Sequence, residues 1–162
     1  MKKLLLTLTL LGLTTAFANA ATSFTATANI ISDITLTEST PLSFGTVRPA
    51  GVGTTLVNAN ASLGTVTVLS GLGDLVNPGT VGVIGINGND GATVNVAIVG
   101  DTNLVGPNSK TLAVTFQLDT DVVTLAAVGG VGSVKVGGTL TVLSNSTTGL
   151  YTGTYTINAT YP

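Results

Sequence analysis

The sequence predicts an all-β fold, a sandwich or a barrel of many short antiparallel strands. Apolar and polar residues alternate with a period of two almost throughout, and helical spacing is almost absent. Thr, Val and Ile dominate the alternating runs, and β-branched side chains pack well on a pleated sheet. Gly, Asn, Asp and Pro interrupt these runs at short intervals, as expected for turns between strands.

The first twenty residues have the three-part pattern of a secretory signal peptide. Lys2 and Lys3 precede an apolar stretch over residues 4–13, and Ala18-Asn19-Ala20 has the small residues of a cleavage site. The apolar stretch is too short for a membrane span, and no later stretch approaches that length. We therefore expect residues 1–20 to be removed and the mature form to have no membrane span.

The remaining residues, 21–162, have the length of one ordinary domain. They carry three basic against seven acidic side chains, a net charge of −4. Three scattered cations are too few to neutralise a phosphate backbone, so nucleic acid is excluded as a partner. So weakly charged a surface suits a chain that packs against copies of itself, although the many threonines could also supply hydration.

Strands are predicted wherever the alternation continues between two turn signals. The first run, Ser23 to Leu36, changes phase, so that Phe24, Ala26, Ala28 and Ile30 are followed by Ile34 and Leu36 on the apolar side. Further strands are expected at 41–47, 65–69, 81–86, 93–99 and 112–118, with one or two strands over 133–143. The glycine-rich residues 70–80 and 126–132 are interpreted as loops.

The last run has the cleanest alternation in the chain. Apolar and aromatic residues from Tyr151 to Tyr161 share one face, while Thr and Asn share the other. Eleven residues in an extended conformation would span roughly 35 Å. The sequence therefore predicts a long C-terminal strand, with one face toward the core.

Catalytic chemistry has little support in this sequence, and we expect neither an enzyme nor a cofactor. The chain has no histidine and no cysteine, which excludes the common nucleophilic triads and nearly all zinc and copper sites. Asp119 and Asp121 would share a face of a strand, and we expect them at its exposed end. The run Asn87 to Asp90 lacks the acidic first position and the distant Glu of a calcium loop, and is interpreted as a tight turn.

Three segments carry a resemblance to a known family. Leu42–Val47, Val136–Val142 and Gly149–Tyr161 resemble a bacterial family of exported domains of unknown function. That family is allied to spore coat protein U and to fimbrial subunits. The resemblance covers most of the mature chain, and its specific motifs lie near the two ends. The chain departs from the best-known fimbrial subunits in having no disulfide.

The resemblance implies an immunoglobulin-like, pilin-like sandwich that lacks its final strand. A neighbouring subunit would then donate its N-terminal segment, with backbone hydrogen bonds giving affinity and alternate side chains giving register. The implied donor residues are Phe24, Ala26, Ala28 and Ile30. The implied acceptor residues are Gly149, Tyr151, Tyr155, Ile157, Ala159 and Tyr161. Residues 23–30 could instead form an ordinary first strand of a complete sandwich.

The sequence therefore favours a structural subunit of a bacterial surface filament or coat. We expect a homo-oligomer, handled by a periplasmic chaperone and an outer-membrane usher, that passes through the periplasm to the cell surface. The alternative is a self-contained secreted sandwich that binds a ligand such as a carbohydrate. Sugar sites generally use aromatic platforms, and this chain has no tryptophan and only seven aromatic residues.

Overall fold

The computed structural model describes Ser23 and residues 25–162, which form two units. The first unit ends at Ile30, and its described residues 25–30 form no strand and are exposed. The second unit, Ile31–Pro162, contains all of the regular structure reported below. The predicted signal peptide and Phe24 lie outside the described residues.

Twelve strands and a single turn of 3₁₀-helix, Pro107–Ser109, make up the regular structure of the described residues. None of the helical structure found there is long and apolar enough to cross a membrane. The strands are β1 (Thr35–Thr40), β2 (Thr46–Arg48), β3 (Thr54–Asn60), β4 (Thr65–Ser70), β5 (Asp74–Asn77), β6 (Gly82–Asn87), β7 (Thr93–Gly100), β8 (Asn103–Val105), β9 (Thr111–Leu118), β10 (Val122–Thr124), β11 (Val131–Leu143) and β12 (Tyr155–Thr160).

These strands form antiparallel sheets, which confirms the predicted all-β sandwich. The largest sheet has the order β1-β6-β11-β3-β4, and β9 joins it by pairing with both β11 and β8. A three-stranded sheet has the order β10-β7-β12, and β2 pairs with β5 in a separate ribbon. Five predicted strands, at 65–69, 81–86, 93–99, 112–118 and 133–143, correspond to β4, β6, β7, β9 and β11.

The thirteen-residue strand β11 has more strand partners than any other. Residues 131–136 pair with β6, residues 138–143 pair with β3, and residues 136–140 pair with β9. A Cβ on Gly137 would collide with the carbonyl oxygen of Ala59 in β3, and one on Gly138 with that of Thr115 in β9. The glycine pair is therefore required because two neighbouring backbones approach this part of β11 closely.

Two buried clusters form the core of the second unit. One cluster contains Val57, Val114 and Leu140 together with Phe44, Ala59, Val66, Val81, Leu104, Leu112 and Val142. The other contains Ile86, Val94 and Val134 together with Ile84, Val96, Val123, Leu125 and Val136. Strand β11 contributes to both clusters, because its buried side chains lie on either side of the glycine pair.

The first predicted strand is shorter than the sequence pattern suggested. Regular pairing begins only at Thr35, and Ile30 is 91% exposed. Ile34 packs against the second cluster, as its phase predicted, whereas Leu36 is 36% exposed. The alternation over 23–33 is real, but within this chain it has no partner strand in the described residues.

The predicted C-terminal strand of eleven residues is also too long. Strand β12 begins at Tyr155, because the residues before it bind other partners than β7. Thr152 exchanges two backbone hydrogen bonds with Val105 of β8, at 2.7 and 2.9 Å. The Thr154 N–H donates to the Asp101 carboxylate at 2.6 Å. Alternation in sequence continued across this change of partner, so the pattern alone could not reveal it.

Other differences concern short or polar strands. Strand β5 lies within residues 70–80, which were expected to be a loop, and β3, β8 and β10 were not predicted. The turn at 87–91 was expected and is present, but it connects β6 to β7 in a different sheet. Its Gly91 has a φ of +66°, a conformation that favours glycine.

We predict that Gly138→Ala lowers the free energy of unfolding by about 1–3 kcal/mol, since the methyl group would push β9 away from β11. Gly51→Ala is the matched control, because nothing lies within 4 Å of its Cβ position. The control should change stability by less than about 1 kcal/mol. Urea unfolding followed by circular dichroism measures both. Equal losses in the two variants would contradict the close-approach explanation.

Candidate functional site

Two strand edges without a strand partner lie side by side in the second unit. Among the described residues, β1 pairs only with β6, and β12 pairs only with β7. The Tyr155 hydroxyl donates to Oε1 of Glu38 in β1 at 3.1 Å. The Tyr161 hydroxyl donates to the carbonyl oxygen of Ser32 at 2.9 Å. The second contact lies six residues after the first along the C-terminal segment, from Tyr155 to Tyr161, and six residues before it along the other segment, from Glu38 to Ser32. The two segments therefore run antiparallel.

Tyr161 also fixes the point at which the N-terminal segment enters the second unit. Its hydroxyl accepts a hydrogen bond from the Asn89 N–H at 2.7 Å while donating to Ser32. A Cβ on Gly88 would collide with this hydroxyl, so a larger residue in the turn after β6 would displace the Tyr161 hydroxyl. One side chain thus connects β12, the residues before β1, and the turn between β6 and β7.

Tyr155 lies at the other end of β12 and is half-buried. Its ring packs against Phe116, with the ring centroids 5.4 Å apart and the planes tilted by 42°. Burial, together with the hydrogen bond to Glu38 and the negative charge of that carboxylate, raises the pKa of Tyr155 to about 12. The hydroxyl therefore stays protonated as a donor through the neutral pH range.

The residues predicted as an acceptor strand divide into two groups. Tyr155, Ile157, Ala159 and Tyr161 lie on one face of the C-terminal segment and pack, half-buried, against the second core cluster. Gly149 and Tyr151 precede β12 and belong to a loop. The Tyr151 hydroxyl donates to the Thr147 carbonyl at 2.8 Å, and Gly149 has a φ of +150° beside Pro107. Their role as an acceptor stays a prediction.

Of the residues predicted to be donated, Ala26, Ala28 and Ile30 are exposed and outside any strand. Phe24 lies outside the described residues. The segment alternates in sequence as a strand does, and its side chains are exposed as those of an unpaired strand would be. Its donation to a neighbouring subunit stays a prediction.

Tyr155, at one end of this gap, also lines a cleft of about 820 Å³. One side is formed by residues 42–49 and the other by residues 146–153. Its floor consists of side chains from the first core cluster, namely Leu104, Leu112, Leu140 and Val142. This cleft was not predicted from the sequence, because its lining residues come from segments that are far apart in the chain.

The acidic residues considered as a catalytic pair have structural contacts. Oδ1 of Asp119 accepts a hydrogen bond from the Lys135 N–H at 2.8 Å, which extends the pairing of β9 with β11. Asp121 is exposed, and its carbonyl oxygen accepts the Val96 N–H at 2.7 Å. Within the described part of the chain, no group of three or more Asp, Glu, His or Cys side chains could hold a metal ion.

The geometry defines an antiparallel β domain with two neighbouring open edges. A model of the family described as "Domain of unknown function (DUF4402)" matches residues 34–161, so the chain belongs to this family. The match includes β1 through β12 and leaves out residues 25–33. The comparisons gave no significant match to a curated protein or to a solved structure. The predicted alliance with spore coat protein U and fimbrial subunits stays a prediction.

We predict that Tyr161→Phe lowers the free energy of unfolding by about 1–3 kcal/mol, since it leaves Ser32 and Asn89 without their partner. Tyr155→Phe is the matched control, because it removes one hydrogen bond to the exposed Glu38 and should cost less than about 1 kcal/mol. Urea unfolding compares them. A larger loss for Tyr155→Phe would show that the Tyr161 contacts contribute little.

Stability should also fall in strongly alkaline solution because of Tyr155. Its folded pKa of about 12 lies above the unfolded value of 10.0, so the unfolded chain releases this proton first. The contribution is complete below pH 10 and is lost as the pH rises toward 12. Unfolding measured across this range should be less pH-dependent in Tyr155→Phe than in the native chain. An unchanged pH dependence would contradict the assignment.

Proposed function

We propose that this protein is a structural subunit of a bacterial surface filament or coat, assembled by N-terminal strand donation between subunits. One observation carries the proposal: among the described residues, the exposed segment 25–30 belongs to no strand, and β1 and β12 each pair with a single strand. Each feature is what strand addition requires of one of the two participants.

The physical basis is the pairing of backbone groups. An open sheet edge presents N–H and C=O groups that another strand can pair, and proteins that leave such edges uncovered risk aggregation. A donated segment would satisfy these groups and bury its apolar side chains in the same step. The alternation of Ala26, Ala28 and Ile30 with Thr25, Thr27 and Asn29 would place one face toward the acceptor and one toward solvent.

The composition supports an assembled protein at the cell surface. The predicted signal peptide would export the chain to the periplasm, and the sparse charge favours close packing between copies. We further propose that a periplasmic chaperone covers the open edge before assembly and that an outer-membrane usher receives the subunit. The kinship with fimbrial subunits and spore coat protein U is part of this proposal.

A second candidate is a self-contained secreted binding module, and the cleft is the observation that favours it. Its volume of about 820 Å³ lies within the range of small-molecule sites. Phe44 and Tyr151 line it, and could stack on a ring such as that of a sugar. A binding module of this kind would remain monomeric, and its ligand would raise its melting temperature.

The oligomeric state of the exported chain distinguishes the two candidates. Size exclusion and gel electrophoresis of unheated samples should show a ladder of polymers that collapses to one band on heating. Polymers of this kind would support the subunit proposal. A stable monomer at every concentration would overturn it and favour the binding module.

The face of the donated segment can be tested by two matched substitutions. We predict that Ala28→Asp abolishes the polymer ladder, because an unpaired carboxylate on the inward face would be buried at a cost of several kcal/mol. Thr27→Asp places the same charge on the opposite face and should leave the ladder intact. Both side chains are exposed in the single chain, so neither change should unfold it. Equal loss of polymers in both variants would contradict the predicted face.

A further inference from the structure

We propose that the cleft between residues 42–49 and residues 146–153 is the acceptor site, and that its occupant is residues 25–31 of a second copy of this chain. The inference rests on the proposed strand donation and specifies where the donated segment binds. The sequence-based expectation placed the acceptor along the whole C-terminal run from Gly149 to Tyr161, whereas this inference uses only its first part, up to Tyr155, together with residues 42–49.

The backbone on both sides of the cleft has unused capacity for pairing. On one side, β2 pairs with β5, and within the described residues it has no strand on its other edge. On the other side, Thr152 directs its N–H and C=O toward Val105 of β8. Successive residues of an extended chain direct these groups to opposite sides, so a chain extended on either side of Thr152 would direct those of Tyr151 and Gly153, which line the cleft, away from β8. Neither residue makes a backbone hydrogen bond to another described residue.

A strand placed there would therefore have neighbours on both edges. It would join the β2–β5 ribbon to the segment that already pairs with β8, and β8 in turn pairs with β9. The part of the gap between β1 and β12 that lies next to Ser32 and Tyr161 is less suitable for a donated strand. The hydroxyls of Tyr155 and Tyr161 already bridge it, so a strand could enter only by breaking both hydrogen bonds.

The residues that line the cleft favour an occupant that is apolar and uncharged. The floor of the cleft consists of Leu104, Leu112, Leu140 and Val142, and among the described residues that line it only Arg48 is charged. Arg48 is itself paired with Asp74 at 2.6 Å. A charged segment would lose its hydration there without gaining a partner.

Residues 25–31 have the properties that this surface requires. They contain no charged side chain, and the first acidic residue after them is Asp33. Seven extended residues span roughly 23 Å, and eight residues such as 42–49 span roughly 26 Å if extended. Ala26, Ala28 and Ile30 would face the floor, and Ile30, which is 91% exposed in the single chain, would bury the most apolar surface.

The geometry of the second unit favours a second copy over the chain's own segment. The donated segment is followed directly by Ser32, which Tyr161 holds at the far end of β12 from the cleft. To reach its own cleft the segment would have to turn back along the closed part of the gap, past the Tyr155–Glu38 contact. Donation from one end to the cleft of the next copy is a head-to-tail contact. Such contacts form open filaments when the rotation between copies does not close a ring.

Cysteine pairs test the location, because the native chain has no cysteine that could compete. Ala28→Cys is combined with Thr46→Cys on one side of the cleft and, separately, with Thr148→Cys on the other. Both threonines are exposed and line the cleft. The matched control combines Ala28→Cys with Thr156→Cys, on the exposed face of β12. Disulfides form only when the Cα atoms approach to within about 7 Å.

After mild oxidation, at least one cleft pair should give a covalent ladder that survives heating without reductant, and the control should give none. If polymers form but only the control pair becomes covalent, the acceptor is the β12 edge, so this inference is wrong and the proposed function stands. A disulfide within the monomer would show self-insertion and overturn the second-copy assignment. If no variant forms polymers, and the native chain forms none either, both proposals are wrong.

Discussion

The close packing of strands around β11 is the constraint on which the rest of the structure depends. Gly137 and Gly138 have no side chain, so β3 and β9 can approach the middle of β11 from opposite edges. This lets one thirteen-residue strand pair with β6 in its first half and with β3 in its second. Both buried clusters are built on that strand, and a larger side chain at either glycine would disturb both.

A gap lies between two other strands of the second unit. Among the described residues, β1 pairs only with β6 and β12 pairs only with β7, so no strand lies between these two edges. Tyrosine hydroxyls bridge the gap, because a long side chain with a polar tip can cross a distance that backbone hydrogen bonds cannot. Tyr155 also lines a cleft with an apolar floor. The family to which the chain belongs is described only as a domain of unknown function. The role that we propose for the gap and the cleft therefore rests on the physics of strand-edge pairing.

Sequence reasoning predicted the strands that alternate cleanly and missed those that do not. Strands β4, β7 and β9 show apolar residues at every second position, which is the signal of one buried face. Strand β3 buries Thr55, Val57 and Ala59. It was not predicted because most of its residues are polar. Thr55 is fully buried, and its hydroxyl is satisfied there by the N–H of Gly73, eighteen residues away, at 3.1 Å. In the candidate site, the inner face of Tyr155, Ile157 and Tyr161 was predictable from alternation, and the cleft was not.

By itself the sequence determined the all-β class, the inward face of the last strand, and the lack of histidine and cysteine chemistry, because these depend on composition and on a period of two. Only the tertiary structure decided where strands pair and where they stop. The same alternation runs through residues 25–33, which have no strand partner among the described residues, and through Thr152, which pairs with Val105 and not with β7. Alternation reports which side of a backbone is apolar. It carries no information about which other backbone will lie beside it, because that choice is made by residues distant in sequence.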